Sequence, residues 1–224
     1  MSDALLEAIQ TRNVDRVAAL LAAGADPNKV GKSRYSGRDV PPLQAAIGEL
    51  EELGEDHPAG PIESVVLLLR HGANVEAVDP ERDGDPLFMA VFMNHIEAVR
   101  LLLAHGANPN VRDNESDSPL RTCIEKNYLE MARLLLLCGA NKTIQDRVGG
   151  GMTALGLAAY WLNVEMVKLL LTHGADPHVE DEDRMTVFEL LRTMDPPDDP
   201  ASLERLREIR RLLGDPAAES SSGA

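Results

Sequence analysis

The chain has 224 residues, with 37 acidic side chains against 22 Lys and Arg, and a formal net charge of -15. Such an excess disfavours nucleic acid and suits a cationic partner surface, while also keeping a long surface soluble. No apolar run is long enough to cross a membrane and MSDALLEAIQ has no charged-then-apolar leader, so the expectation is a cytoplasmic protein with Cys123 and Cys138 as reduced thiols.

Taken in order, residues 3–28 start a helix at Asp3-Ala4-Leu5 and a second from Val14 to Ala22, and stop at Gly24-Ala25-Asp26. Polar Glu7, Gln10, Asp15 and Arg16 suit an end unit with one wet face. Residues 29–72 are oversized. A basic insertion holds Lys29, Lys32, Arg34, Tyr35 and Arg38, and an acidic one, about Gly48 to Ala59, holds Glu49, Glu51, Glu52, Glu55 and Asp56. These two loops either pair with each other or form a specificity element. Residues 73–106 are regular: Asp85 is placed to cap a helix begun by Pro86, with Leu87, Ala90 and Val91 on one face. Asn94-His95 breaks that helix, Ile96 to Leu103 form the next, and Gly106 ends it. Residues 107–139 repeat the plan from Ser118-Pro119-Leu120 to Gly139, and residues 140–174 from Thr153-Ala154-Leu155 to Gly174, with Gly149-Gly150-Gly151 enlarging a loop. Residues 175–214 start at Thr186-Val187-Phe188, are interrupted from Met194 to Pro200, and finish in a helix capped by Ser202. There Arg205, Arg207, Arg210 and Arg211 alternate with Leu203, Leu206, Ile209 and Leu212, as on the polar outer face of an end helix. The tail, 215–224, is small and polar and is expected to be disordered.

The stop glycines Gly24, Gly72, Gly106, Gly139 and Gly174 are separated by 48, 34, 33 and 35 residues. A period in the thirties marks a repeat architecture. With starts such as Ser118-Pro119-Leu120, and leucine runs before each Gly-Ala-Asp or Gly-Ala-Asn, the chain resembles the ankyrin-repeat family. The resemblance implies an all-α repeat solenoid over residues 1–214: about six helix-turn-helix repeats (3–28, 29–72, 73–106, 107–139, 140–174 and 175–214) with hairpin fingers and capping ends. Helices this short are marginal alone, so each repeat depends on its neighbours.

No catalytic constellation is visible: there is no G-x-S-x-G and no H-E-x-x-H. His71, His105, Cys138 and His173 share one register position, but each falls in a different stacked unit. Helix axes lie roughly 10 Å apart, too far for donors that must converge on one ion. Asp79, Glu81, Asp83, Gly84 and Asp85 imitate part of a calcium loop, yet Ala90 stands where the bidentate Glu belongs. The triple glycine lacks the Gly-Lys-Ser/Thr ending of a phosphate loop. No metal and no cofactor is implied, and the acidic loop at 79–85 reads as a solvated finger.

In proteins of the resembled family, hairpin tips and first helices line a groove that holds the partner. Carried onto this sequence, the resemblance implies that Gln10 and Thr11, Phe92 and Met93, Glu125 and Lys126, and Tyr160 and Trp161 face that groove. Three of the chain's seven aromatics, including its sole Trp, fall at these positions. The hairpin tips add a polar rim, Arg82, Asp83, Asn114, Glu115, Arg147, Glu182 and Asp183, and Tyr35 of the basic insertion joins the candidate partner-binding residues. The implied function is non-enzymatic: an adaptor or inhibitor, monomeric, that binds a protein through a basic, partly apolar patch. One version is an immunity-type inhibitor covering a basic effector. The competing classes are an enzyme with an unrecognised site in the insertions and a scaffold growing by end-to-end stacking.

Overall fold

In the computed structural model the described residues are 2–51, 60–77, 85–114, 116–145 and 151–215. Over them the chain forms six helix pairs. These are α1 (Ser2–Gln10) with α2 (Val14–Ala22), α3 (Pro42–Gly48) with α4 (Glu63–Arg70), and α5 (Pro86–Phe92) with α6 (Ile96–Ala104). They continue as α7 (Pro119–Glu125) with α8 (Leu129–Leu137), α9 (Ala154–Tyr160) with α10 (Val164–Thr172), and α11 (Val187–Thr193) with α12 (Pro200–Leu213). The architecture is an all-α repeat solenoid of helix-turn-helix units.

In four pairs the first helix, α5, α7, α9 or α11, starts where a short polar side chain accepts from the orphan N–H groups of the first turn, whereas α3 follows Pro41 with no side-chain cap. Asp85 accepts from Leu87 at 2.7 Å, Ser118 from Arg121 at 3.3 Å and Thr153 from Gly156 at 3.0 Å. Thr186 accepts from Glu189, whose carboxylate accepts the Thr186 N–H at 2.8 Å, a reciprocal capping box. Between the two helices one residue turns left-handed: Arg12, Asn94, Asn127 and Leu162, at φ 56, 56, 57 and 52°. The next residue caps the second helix, where Asn13, His95 and Asn163 accept from Arg16, Ala98 and Met166.

The three-residue stop divides its work. Gly24, Gly72, Gly106 and Gly174 sit at φ 86, 84, 91 and 90°, where a Cβ is costly. The N–H of each following alanine then reaches the carbonyl five residues back at 3.0 Å, closing a Schellman motif. Asp26, Asn74, Asn108 and Asp176 come next, and each accepts the N–H two residues on, starting the loop with an Asx turn.

The final helix departs from expectation. Asp199, not Ser202, is its cap: the Asp199 carboxylate accepts the Ser202 N–H at 2.8 Å. Pro200 takes the first helical position, which it tolerates because that N–H has no helical partner. Asp215, placed by sequence in the tail, is buried and completes the last Schellman motif by donating its N–H to Arg210 at 2.9 Å. Residues 216–224 lie outside the described residues.

Two compact units divide the chain, Met1–Asn114 and Glu115–Ala224. In the first, α1, α3 and α5 pack side by side and α2 packs on α4. In the second, α7, α9 and α11 form a row, and α10 lies between α8 and α12. Small side chains let the first helices approach within each unit: Ala8, Ala46 and Ala90 in the first, and Cys123 and Ala158 in the second, are all sealed from solvent. Cys123 fills the alanine position of its repeat, and burial pushes its thiol pKa up, so it behaves as a small apolar group. Cys138 is exposed, and neither cysteine is in a disulfide.

The basic insertion folds as a two-stranded antiparallel hairpin, β1 (Gly31–Lys32) and β2 (Asp39–Val40), with Gly31 opposite Val40. The acidic insertion leaves from Glu49, whose carbonyl accepts the Gly60 N–H at 2.7 Å. A Cβ on Gly60 would collide with that same carbonyl oxygen, so only glycine closes the neck. Residues 52–59 lie outside the described residues.

Candidate functional site

Large apolar side chains left in solvent are the signal to follow, because folding by itself gains nothing from exposing them. In the first unit these are Val30, Tyr35 at the hairpin tip, 62 % exposed, and Phe92 at the end of α5, 57 % exposed. In the second they are Leu137 at the end of α8, 72 % exposed, Trp161, 61 % exposed, and Tyr160, 44 % exposed. Phe92, Tyr160 and Trp161 are thus on the surface and not folded back into the core. The local reason is the left-handed turn. Each residue lies at the last helical position or the cap, and the chain reverses at the next one or two residues, at Asn94 or Leu162.

Tyr160 and Trp161 meet edge to face, with ring centroids 5.6 Å apart and an interplanar angle of 80°. This geometry suits the negative faces and positive edges of aromatic rings. Trp161 also lines a cleft of about 460 Å³ with Ile124, Glu125, Asn127, Asn163 and Arg205. Asn163 donates to the Asn127 side-chain carbonyl at 2.7 Å and so links the turns of two successive repeats along the cleft. Glu125 is held in place: Arg121 Nε lies 3.0 Å from it and 3.1 Å from Asp117, one helical turn away on either side. Arg121 donates further to the Met152 carbonyl at 3.3 Å. Lys126 is exposed at the end of α7, and Met93 is half-buried at the end of α5. Asn114 is exposed in a turn, whereas Arg82, Asp83, Glu115 and Arg147 lie outside the described residues.

Gln10 is a correction. Sequence placed it in the groove, but it is 6 % exposed. The basic hairpin lies over the end of α1, and Gln10 is consumed in holding it: it donates to Ser33 Oγ at 3.0 Å and accepts the Arg34 N–H at 3.0 Å. Thr11 remains exposed, its hydroxyl donating to the Glu7 carbonyl at 2.8 Å. Tyr35 is also tied to α1, donating its hydroxyl to the Gln10 carbonyl at 3.1 Å. Burial of that end, and then the Glu49 carboxylate beside it, push the phenol pKa up. Glu49 in turn pairs with Arg12 at 3.1 Å. The two insertions therefore meet through Tyr35, Glu49 and Arg12. Arg205, assigned by sequence to a solvated face, is exposed and also lines the cleft. Its alternation with leucines could mark it as outward-facing, but not what it faces.

Nδ1 of His71, His105 and His173 lies 2.8, 2.8 and 2.9 Å from the carbonyl four residues earlier, so each imidazole closes its own helix. Among the described residues no three His, Cys, Asp or Glu side chains are grouped to hold a metal ion. Asp85, of the calcium-like stretch, caps α5, and its other members lie outside the described residues. No helix among those described is long and apolar enough to cross a membrane.

Known proteins agree with this geometry. A family model described as ankyrin repeats (3 copies) matches residues 58–146, and another, ankyrin repeats (many copies), matches residues 122–171. Among solved structures, an ankyrin repeat domain from Acinetobacter baumannii AYE is similar at TM-score 0.71 and 23 % identity, over 96 % of this chain and 96 % of that one. The ankyrin repeat protein EF0377 is similar at TM-score 0.69 and 22 % identity, over 96 % of this chain and 98 % of its own. No curated protein sequence matches.

Proposed function

We propose that this chain, which belongs to the ankyrin-repeat family, is a protein-binding adaptor or inhibitor that holds its partner along the first helices and loop tips of its repeats. The fold is a non-catalytic scaffold for protein–protein interaction. The finer assignment rests on one observation: the sole Trp stands in solvent, braced by Tyr160, at the mouth of a cleft. An exposed indole with a fixed orientation costs little rotamer entropy on binding and buries a large area, the profile of an interface hot spot.

The partner that fits is a protein with a basic, partly apolar patch. Its apolar part would cover Trp161, and its cations would answer the net charge of -15. Nucleic acid and membrane are not the targets in this reading. The chain acts as a cytoplasmic monomer with residues 1–214 as one repeat domain. The same charge favours one version in particular, an inhibitor that covers a basic effector. The test is capture from native lysate by the wild-type chain and by Trp161→Ala, repeated at high salt. A specific partner lost in the variant and weakened by salt supports the proposal. A partner retained by Trp161→Ala, or loss of helical circular dichroism in that variant, removes its basis.

A further inference from the structure

The basic insertion inverts the charge of the chain that carries it. Between positions 29 and 40, Lys29, Lys32, Arg34 and Arg38 face only Asp39, in a chain with 15 more anions than cations. All five side chains are exposed. A turn that merely needed solvation would need no scaffold, but this tip is built. Its support is the buried Gln10 amide, whose two ends are both spent on Ser33 and Arg34. Ser33 Oγ also accepts the N–H groups of Tyr35 at 3.3 Å and Ser36 at 3.4 Å. Ser33 and Arg38 pair through the backbone at 2.7 Å, and the Lys32 N–H reaches Asp3 at 3.4 Å. Lys32 itself is paired with Asp39 at 3.1 Å. Lys29 and Arg34 make no ion pair among the described residues. The Arg34 guanidinium lies 5.5 Å from the centre of the exposed Tyr35 ring, which steadies it by cation–π attraction and leaves its N–H fork open at the edge.

We propose that this hairpin tip docks an acidic segment of a partner protein, with carboxylates set against Arg34 and Lys29 and an apolar side chain on the Tyr35 ring. A guanidinium already oriented is suited to bidentate capture of a carboxylate. A protein segment is favoured over a nucleic acid because the cations are confined to one tip. Beyond roughly one Debye length, about 8 Å at physiological salt, a continuous polyanion would meet the acidic remainder of the chain. Glu49, at the base of the acidic insertion, is not the occupant, since Arg12 holds it. The proposal rests on the protein-binding reading but not on the Trp161 cleft, which belongs to the other unit.

The experiment is backbone-amide NMR of the full chain titrated with a deca-glutamate peptide, a deca-lysine peptide and a ten-nucleotide oligothymidine. Saturable shifts confined to the amides around Gly31 to Arg38 are expected with deca-glutamate alone. The double variant Lys29→Glu with Arg34→Glu should weaken that binding at least tenfold without moving amides elsewhere, and Trp161→Ala should leave it unchanged. No shifts at the hairpin, equal binding by the double variant, or tighter binding of oligothymidine would overturn the proposal. So would a concentration-dependent dimer lost in the double variant, which would make a second copy the occupant.

Discussion

At the residue scale, burial and exposure decide roles that residue type leaves open. Asp85 is half-buried while it caps α5. Burial raises its carboxyl pKa to about 6 with a contribution from Glu76, against the N–H groups of Leu87 and Phe88, which pull it down. The folded carboxyl holds its proton more tightly than the unfolded one, so stability should fall as pH rises from about 4 to about 6. Asp85→Asn keeps an acceptor for the cap and removes the buried charge. It should flatten that slope and add about 1 kcal/mol at neutral pH, read by urea unfolding across the window. Trp161→Ala and Phe92→Ala act on a different property. Each should weaken the partner by about 2 kcal/mol in calorimetric titration with circular dichroism unchanged, because neither side chain supports the core. Sequence register located both aromatics correctly on the surface. It missed Gln10, since nothing within α1 reveals that a loop more than twenty residues later folds over it.

At the element scale, the chain's punctuation is local and was largely legible. A cap, a left-handed turn residue and a Gly-Ala-Asp stop each act within five residues through backbone hydrogen bonds, so their letters suffice. The exception is α12, where sequence points to Ser202 as the cap and the structure uses Asp199 instead, with Pro200 in the first helical position. Asp199→Ala should lower the melting temperature by removing the cap, whereas Ser202→Ala should leave it close to that of the wild-type chain. Thermal melts of the two variants side by side check this. The hairpin is the opposite case. Its strands are two residues long, too short for any periodic pattern, and its order derives from contacts with α1.

For the whole molecule, the acidic excess governs encounter more than grip. With a net charge of -15 and a basic partner, the association rate constant should fall about tenfold between low and high salt, while dissociation changes far less. Stopped-flow binding at several ionic strengths separates the two. An acidic segment docked on the hairpin would respond to salt in the same direction. The charge-reversed hairpin distinguishes them, because it should abolish docking of an acidic segment while making the chain more acidic and so steepening the salt dependence of the main encounter.

The repeat period, the helix starts and the glycine stops were determined by the sequence alone, because a solenoid is assembled from contacts between near neighbours and local hydrogen bonds repeat with the letters. Tertiary structure alone decided that Gln10 is spent inside, that Tyr35, Glu49 and Arg12 join the two insertions, and that Arg205 stands at the Trp161 cleft. Each of those depends on side chains brought together from distant positions, where no spacing rule applies and only the packed chain sets the distance.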